Sequence, residues 1–349
     1  MTALPRTLFV GTGTSAVCWY RAALPATALG ADWVGVRGAP PDLRIVTGDV
    51  TRVSGVESLA GYDVVVLQQP RGREWMNVIR ELRAGGTAVL YEIDDLPEAV
   101  RKADGHDRAH VIDREWVRAG ELAMRVCDGV ICSTDFLARR YRSVAPRTWT
   151  CRNGLDLRRY ALTRVPRDGS VTIGWAGGTG HRRAVDAWLP EVREVMRERP
   201  ATRFVTIGEP FAAELAEEFG DDRCLALPFA TLEAYPAAMA GFDIALAPAA
   251  PTNFYRAKSD LRWLEASALG VPAIADPEVY PDVADGVTGF HAASPADAGA
   301  LLRTLVDDRA LRDRVGAAAR EHVAATRRIE VMAEQWRQAL RAVAAPIAA

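Results

Sequence analysis

Residues 258–272 read KSDLRWLEASALGVP and predict a short helix that runs directly into a buried strand. Ser259 or Asp260 can cap this helix, Gly270 follows its last apolar turn, and Val271–Ala275 is an apolar run typical of a parallel sheet. A helix that begins beside a lysine favours bound anions, because its free backbone amides and positive end add to the lysine charge. The segment therefore predicts an α/β fold with an anion site at the start of a helix.

Lys258 and Glu265 are seven residues apart, so a continuous helix places them on one face, roughly 10 Å apart along its axis. This spacing suits a nucleotide sugar, with the lysine at the phosphates and the carboxylate at the ribose hydroxyls. A buried carboxylate needs a ligand or an internal hydrogen bond. An ion pair of Glu265 with Arg262 is the structural alternative, and an internal ion pair of Lys258 would argue against sugar transfer.

The rest of the chain alternates predicted strands and helices in two halves. Apolar runs bounded by glycine, proline or acidic residues predict these buried strands: Thr7–Gly11, Trp33–Val36, Val64–Gln68, Thr87–Ile93, Gly129–Ser133, Val171–Trp175, Phe204–Gly208, Cys224–Leu227, Ile244–Ala247 and Val271–Ala275. Strands buried on both faces form parallel sheets, since parallel neighbours need a crossover that covers a face. The sequence thus predicts two Rossmann-like, doubly wound domains at 1–156 and 171–326, joined by a linker at 157–170.

Composition excludes several classes of protein. The 349 residues are 49% hydrophobic and 25% charged, which fits packed globular domains. A formal net charge of −2 gives no general attraction to polyanions, so the arginine pairs at 139–140 and 158–159 are interpreted as solvated faces. The cysteines form no C-x-x-C pair, and neither a disulfide framework nor a metal site is expected. Because a signal-peptide pattern and a long apolar run are lacking, we expect a cytoplasmic location without a transmembrane segment.

Ligands collect at the carboxyl ends of parallel strands, which directs attention to three further turns. The first, residues 11–16 (GTGTSA), offers Gly13 and Thr14 for close approach of its backbone to a phosphate or sugar. The same turn matches the dinucleotide pattern G-x-G-x-x-A, with Asp32 as the residue for a ribose. A donor-binding loop, a nicotinamide site and a merely tight turn are therefore all open interpretations of this turn.

The second turn, residues 93–96 (IDDL), carries two adjacent acids after a buried strand. Such acids can orient sugar hydroxyls, hold a metal or brace a helix. Asp94 and His110, which lies in the polar loop that follows, are the catalytic candidates beside Lys258.

The third turn, residues 173–183 (IGWAGGTGHRR), opens the second domain. Backbone amides together with guanidinium groups suit a diphosphate, although a solvated basic turn is the simpler alternative. The candidate donor-binding residues here are Gly177, Gly178, Thr179, Arg182 and Arg183, in addition to Lys258, Ser259, Asp260 and Glu265.

These motifs resemble those of GT-B glycosyltransferases of family-4 type. The long segment 258–290, KSDLRWLEASALGVPAIADPEVYPDVADGVTGF, is similar to the carboxyl-terminal signature of that family. Segments 130–141 (VICSTDFLARRY) and 151–156 (CRNGLD) resemble the end of its first domain. Segments 173–190 (IGWAGGTGHRRAVDAWLP) and 242–251 (FDIALAPAAP) resemble two strands of its donor domain.

The resemblance implies a retaining transfer of a sugar from a nucleoside diphosphate sugar, with no metal and no other cofactor. It also implies two lobes facing a central cleft, with residues 327–349 returning to the first domain as a helix. The acceptor is not identified by the sequence and could be a natural product, a lipid, a polysaccharide or a nucleic acid.

The sequence departs from the family pattern at two positions. Ala257 stands where the first of two signature glutamates belongs, and Asp260 or Asn253 could substitute for it. Trp175 replaces the usual arginine of the donor-domain turn, which leaves Arg182 or Arg183 as the phosphate partner. Two rival functions follow: a catalytically silent GT-B partner protein, suggested by Ala257, and an NAD(P)-dependent oxidoreductase, suggested by the GTGTSA turn alone.

Overall fold

The structure, a computed structural model, describes residues 3–48, 55–100, 112–145, 147–162 and 169–345. Each half of the chain forms a lobe in which helices cover a sheet of mainly parallel strands. We call residues 3–162 the first lobe and residues 169–326 the second lobe. The predicted fold class, α/β with two Rossmann-like parallel-sheet lobes, is confirmed.

The first sheet, within the described residues, has the strand order β3-β2-β1-β4-β5-β6-β7. All neighbours pair in parallel except β2 and β3, which are antiparallel. The strands are β1 (Thr7–Thr12), β2 (Asp32–Arg37), β3 (Arg44–Gly48), β4 (Val64–Gln68), β5 (Ala88–Ile93), β6 (Gly129–Cys132) and β7 (Thr148–Thr150).

The helices of the first lobe connect these strands and cover both faces of the sheet. They are α1 (Ala16–Cys18), α2 (Leu24–Leu29), α3 (Arg73–Ala84), α4 (Arg114–Val126) and α5 (Asp135–Tyr141). A π-helical turn, Trp19–Ala23, joins α1 to α2, and 3-10 turns occupy Val56–Gly61, Pro97–Ala99 and Leu157–Tyr160.

The second sheet is parallel throughout and has the order β10-β9-β8-β11-β12-β13 among the described residues. Its strands are β8 (Val171–Gly177), β9 (Thr202–Gly208), β10 (Cys224–Leu227), β11 (Ile244–Ala247), β12 (Ala273–Ala275) and β13 (Phe290–His291). Its helices are α6 (Arg182–Glu198), α7 (Ala213–Phe219), α8 (Tyr235–Met239), α9 (Asn253–Arg256), α10 (Leu261–Ala268), α11 (Pro295–Asp307) and α12 (Arg309–Thr326), with a 3-10 turn at Thr179–His181.

Burial explains which strands the sequence predicted. Every residue of the central strands β4 and β11 is buried, and both strands are apolar apart from Gln68 at the end of β4. The edge strand β3 has no fully buried residue, and β7 at the opposite edge is only half-buried. Because edge strands need no continuous apolar run, β3, β7 and the two-residue edge strand β13 were missed in the sequence.

The last helix, α13 (Ile329–Ala344), leaves the second lobe and packs against the first. Its Trp336, which is 1% exposed, meets Phe9 of β1 edge to face, with 5.5 Å between the ring centroids. Just before α13, Arg327 donates to both carboxylate oxygens of Asp260, at 2.6 and 2.7 Å. This buried ion pair fixes the point at which the chain turns back.

In the part of the chain that the structure describes, none of the helices combines the length and the apolar character that crossing a membrane requires.

Candidate functional site

A cavity of about 380 Å³ lies between the two lobes, where the carboxyl ends of both sheets face each other. Of the predicted site residues, those that line it are Asp94, Gly177, Gly178, Lys258, Ser259 and Glu265. The residues come from strand ends in both lobes: Asp94 follows β5 of the first lobe, and Gly177 is the last residue of β8 in the second lobe. The rule that ligands bind at the carboxyl ends of parallel strands thus selects this cavity as the candidate site.

Lys258 lies in the turn between α9 and α10 and reaches across the cavity to the first lobe. Its Nζ is 2.7 Å from Oδ1 of Asp95 and 4.4 Å from the centroid of the Phe254 ring. Lys258 therefore has an ion-pair partner within the protein, which the sequence analysis named as an argument against sugar transfer. The pair joins the two lobes, and both side chains are partly exposed, at 22% and 28%. An anion that enters the cavity has to compete with Asp95 for this lysine.

Asp94, the neighbour of that ion pair, accepts a hydrogen bond of 2.7 Å from Nε2 of Gln69. Burial raises the pKa of Asp94 to about 7, and the negative charges of Asp95 and Glu92 add to this effect. A carboxyl group with such a pKa changes its charge near neutral pH, which is a property of many groups in active sites.

Glu265 lies on α10, is 5% exposed and is held by tyrosine hydroxyls from three segments. Tyr20 donates to Oε1 at 2.6 Å, Tyr160 to the same oxygen at 3.4 Å, and Tyr235 to Oε2 at 3.3 Å. Burial raises the pKa of Glu265 to about 7, against the opposing effect of these hydrogen bonds and of the Arg262 charge. The sequence requirement of an internal hydrogen bond is thus met by tyrosines, none of which the sequence analysis had singled out.

Arg262 is one of the cations that line the cavity and that sequence reasoning missed as site residues; the others are Arg21 and Arg159, which had been interpreted as part of a solvated face. Its Nε donates to the carbonyl of Ala176 at 2.9 Å, and its guanidinium lies 5.3 Å from the Trp175 ring centroid. Both contacts place the guanidinium at the carboxyl end of β8. The predicted continuous helix from Lys258 to Glu265 is wrong, because α10 begins at Leu261 and Lys258 lies in the turn before it, so Arg262 and Glu265 share the helix without the lysine.

Arg182 and Arg183 do not line the cavity that Gly177 and Gly178 line, which corrects the expectation that these arginines bind a phosphate there. Arg182 begins α6, is 43% exposed and pairs with Asp186 and Glu214 on the surface. Arg183 lines a second groove between the lobes, which has a volume of about 470 Å³ and also contains Asn253. Thr179 is taken up by the 3-10 turn that precedes α6.

Two more residues of the predicted helix start have structural contacts. Asp260, 4% exposed, is occupied by the bidentate bond from Arg327, so it is unsuited to donor binding or to replacing the missing glutamate. Ser259 lines the cavity and accepts a hydrogen bond of 2.9 Å from Nδ2 of Asn153. Ala257 is fully buried among apolar residues of the first lobe, where a glutamate would need a charge partner.

Gly13 and Thr14 of the GTGTSA turn do not line the cavity. Gly13 adopts a φ of +64° and donates from its backbone to the carbonyl of Val36 at 2.7 Å, which ties the turn containing Thr14 to β2. Ala16, the last residue of the turn, lines the cavity together with Val17, Tyr20 and Arg21. Asp32 begins β2, at the amino end of the strand, and accepts a hydrogen bond from Tyr62.

A buried arginine in the π-helical turn Trp19–Ala23 connects that turn to the rest of the first lobe. Arg21, which is 1% exposed, donates to Glu92 at 2.6 Å and to Oδ1 of Asn153 at 2.9 Å, and lies 4.9 Å from the centroid of the Trp336 ring. This network could not be predicted from the sequence, because its members come from distant segments. His110, the remaining catalytic candidate, lies outside the described residues.

No group of histidine, cysteine, aspartate and glutamate side chains arranged to hold a metal ion occurs among the residues with described positions.

Comparison with solved structures identifies the fold class of the chain. Sucrose-phosphate synthase from Thermosynechococcus elongatus aligns over 97% of this chain and 99% of its own, with a TM-score of 0.68 and 16% identity. Anabaena Alr3699/HepE in complex with UDP-glucose aligns over 97% and 100%, with a TM-score of 0.64 and 14% identity. A glycosyltransferase from Rickettsia africae aligns over 97% and 98%, with a TM-score of 0.62 and 10% identity. The fold of the chain is therefore the GT-B fold.

Residues 183–338 match a protein-family model described as "Glycosyl transferase-like". This part of the chain is thus similar to glycosyl transferases, and the resemblance to GT-B glycosyltransferases predicted from the sequence is confirmed. No match to a curated protein was found.

Proposed function

We propose that the protein is a glycosyltransferase that transfers a sugar from a nucleoside diphosphate sugar to an acceptor, with retention of anomeric configuration and without a metal ion. One observation carries the proposal: several cationic side chains, Lys258 and Arg262 among them, and a buried carboxylate, Glu265, line a single cavity between the lobes. The Anabaena protein of the same fold is described in complex with UDP-glucose, which makes UDP-sugars the first donors to test.

The diphosphate of the donor would lie against Lys258 and Arg262 at the beginning of α10. Departure of a nucleoside diphosphate leaves negative charge on its phosphates, and fixed cations in a water-poor cleft stabilise that charge. The free amides at the start of α10 add to this stabilisation. These groups are the basis for proposing a reaction without a metal ion.

The ribose of the donor would lie against Glu265. A carboxylate accepts hydrogen bonds from hydroxyl groups, and Glu265 is the buried acid of the cavity on the second lobe. Because its pKa is raised to about 7, the charged form that accepts most strongly dominates above pH 7. Donor binding is therefore expected to strengthen as the pH rises from 6 to 8.

The transfer breaks the bond from the anomeric carbon to the phosphate oxygen and forms a bond from that carbon to the acceptor oxygen. The proton of the acceptor hydroxyl goes to the departing phosphate, on the face of the sugar where the new bond forms, so the configuration is retained. Asp94, at the end of β5, faces the same cavity and would orient hydroxyls of the transferred sugar.

A second candidate, a GT-B protein that binds the donor without transferring it, is favoured by two observations. Ala257 replaces a signature glutamate, and its site is buried against the first lobe. Lys258, the main phosphate cation, is engaged by Asp95. Donor binding with neither transfer nor hydrolysis would identify this alternative.

The experiment compares binding and turnover of UDP-, GDP-, TDP- and ADP-sugars. We expect Lys258→Ala to weaken binding of the preferred donor at least tenfold, whereas Asp95→Asn tightens it, because Lys258 loses its competing partner. Arg256→Ala is the matched control, since Arg256 pairs with exposed Glu278 outside the cavity. Binding is measured by calorimetry and turnover by release of the nucleoside diphosphate. If none of the four donor classes binds to the wild-type protein, the proposal is wrong.

Two finer parts of the proposal need their own measurements. The anomeric configuration of the product, determined by NMR, tests retention. Turnover in the presence of EDTA tests independence from metal ions.

A cytoplasmic location is also part of the proposal. It is supported by the five cysteines, all of which are buried free thiols, as suits a reducing compartment.

A further inference from the structure

The helix that follows β1 contains a π-helical turn, Trp19–Ala23. Such turns are rare and occur frequently at functional sites, because the extra residue changes the direction of neighbouring side chains. Here two successive side chains from the turn, Tyr20 and Arg21, are both buried. Arg21 bonds within the first lobe to Glu92, whereas Tyr20 extends across to the second lobe.

Tyr20 makes the shortest of the three hydrogen bonds to Glu265. Its hydroxyl lies 2.6 Å from Oε1, compared with 3.4 Å for Tyr160 and 3.3 Å for Tyr235 on the other oxygen. A distance of 2.6 Å is typical of a charge-assisted bond from a hydroxyl to a carboxylate. Of the two tyrosines of the first lobe that contact this acid of the second lobe, Tyr20 makes the shorter hydrogen bond.

The acceptor capacity of Glu265 leaves room for a ligand. A carboxylate has about four acceptor positions, and tyrosines fill two on Oε1 and one on Oε2. A further position on Oε2 can receive a hydroxyl from the cavity. The groups that face this carboxylate are Tyr20 from the π-helical turn, Tyr160 from the 3-10 turn at the end of the first lobe, Tyr235 from α8 and Arg262 from α10, the helix of Glu265 itself.

We propose that Tyr20 is a positioning residue for donor binding, because it holds the Glu265 carboxylate in the orientation in which that acid accepts a ribose hydroxyl. The inference rests on the proposed function and adds a residue of the opposite lobe to donor recognition. It also makes the ribose, rather than the base, the part of the nucleotide that depends on contact between the lobes.

The hydroxyl of Tyr20 also acts on the protonation of Glu265. Its hydrogen bond lowers the pKa of that acid, in opposition to burial. Tyr20 itself remains a donor, since burial and the Glu265 charge raise its own pKa well above the ordinary value. Removal of the hydroxyl is therefore expected to move the pH dependence of donor binding upward, an effect that loss of packing alone would not produce.

The test is the dissociation constant of UDP, measured by calorimetry from pH 6.5 to 9 for wild type, Tyr20→Phe, Tyr160→Phe and Tyr62→Phe. The last is the matched control, because Tyr62 donates to Asp32 at 2.8 Å, away from the cavity. For Tyr20→Phe we expect binding about tenfold weaker at pH 7, recovering as the pH rises, because the variant lacks the hydrogen bond that favours the charged form of Glu265. Tyr160→Phe should give a smaller shift and Tyr62→Phe none.

The same variants are compared for binding of 2′-deoxy-UDP. The wild type should prefer UDP, and Tyr20→Phe should reduce that preference. Equal affinity and an unchanged pH profile in Tyr20→Phe would overturn the inference, as would a larger effect of Tyr160→Phe. These outcomes leave the proposed function standing, whereas a wild-type protein that binds none of UDP, GDP, TDP and ADP overturns both.

Discussion

Replacement of Glu265 by glutamine is expected to stabilise the folded protein at pH 8. Burial raises the pKa of Glu265 from its ordinary value of 4.5 to about 7. The folded state therefore holds this proton at pH values where the unfolded chain has released it, so folding becomes less favourable as the pH rises from 4.5 to 7. At 1.36 kcal/mol per pH unit, this single group costs up to about 3 kcal/mol at pH 8. Glutamine can still accept hydrogen bonds from the tyrosines and carries no such cost.

The assay is urea unfolding of the wild type and of Glu265→Gln at pH 4.5 and pH 8. The free energy of unfolding of the variant, relative to the wild type, should rise by up to about 3 kcal/mol between these two pH values. Other titrating groups, Asp94 among them, are present in both proteins and cancel in the difference. Glu278→Gln is the control, because Arg256 lowers the pKa of that exposed acid and no gain at pH 8 is expected. A stability difference that does not change with pH would refute the reasoning.

Two further predictions concern the junction between the lobes and α13. Arg327→Met should lower the free energy of unfolding by about 3–5 kcal/mol, because it leaves the buried Asp260 without its bidentate partner. Arg309→Met, at an exposed ion pair, should change the free energy of unfolding little. A loss below about 1 kcal/mol for Arg327→Met in chemical denaturation would contradict the assigned role of the buried ion pair. Trp336→Ala should cost about 3–5 kcal/mol by the same measurement, since it empties a fully buried site against Phe9. An unchanged unfolding midpoint would show that α13 does not hold the first lobe.

The fold could be predicted from the sequence because its central strands are buried on both faces. The runs Val64–Leu67 and Ile244–Ala247 are apolar throughout, and this pattern is local. The strands that were missed lie at sheet edges, where Arg44–Gly48 alternates between exposed and half-buried residues. Apolar runs therefore predict the central strands of each sheet, and of the edge strands only Cys224–Leu227 was predicted.

The candidate site could be predicted only in part. Lys258, Ser259 and Glu265 were accessible, because one helix and one turn place them together. Tyr20 was not, since 245 residues separate it from the acid that it contacts. Asp260 was misinterpreted for a similar reason: its partner, Arg327, lies 67 residues further along the chain.

The return of α13 to the first lobe has a consequence for the order of events during synthesis. One face of the first sheet, around Phe9, is covered by a helix that the ribosome makes after the whole second lobe. Until residue 344 has emerged, that apolar face lacks its cover, and the nascent first lobe exposes a surface prone to association. Synthesis of α13, rather than completion of the first 162 residues, is thus the step at which the first lobe can reach its native state.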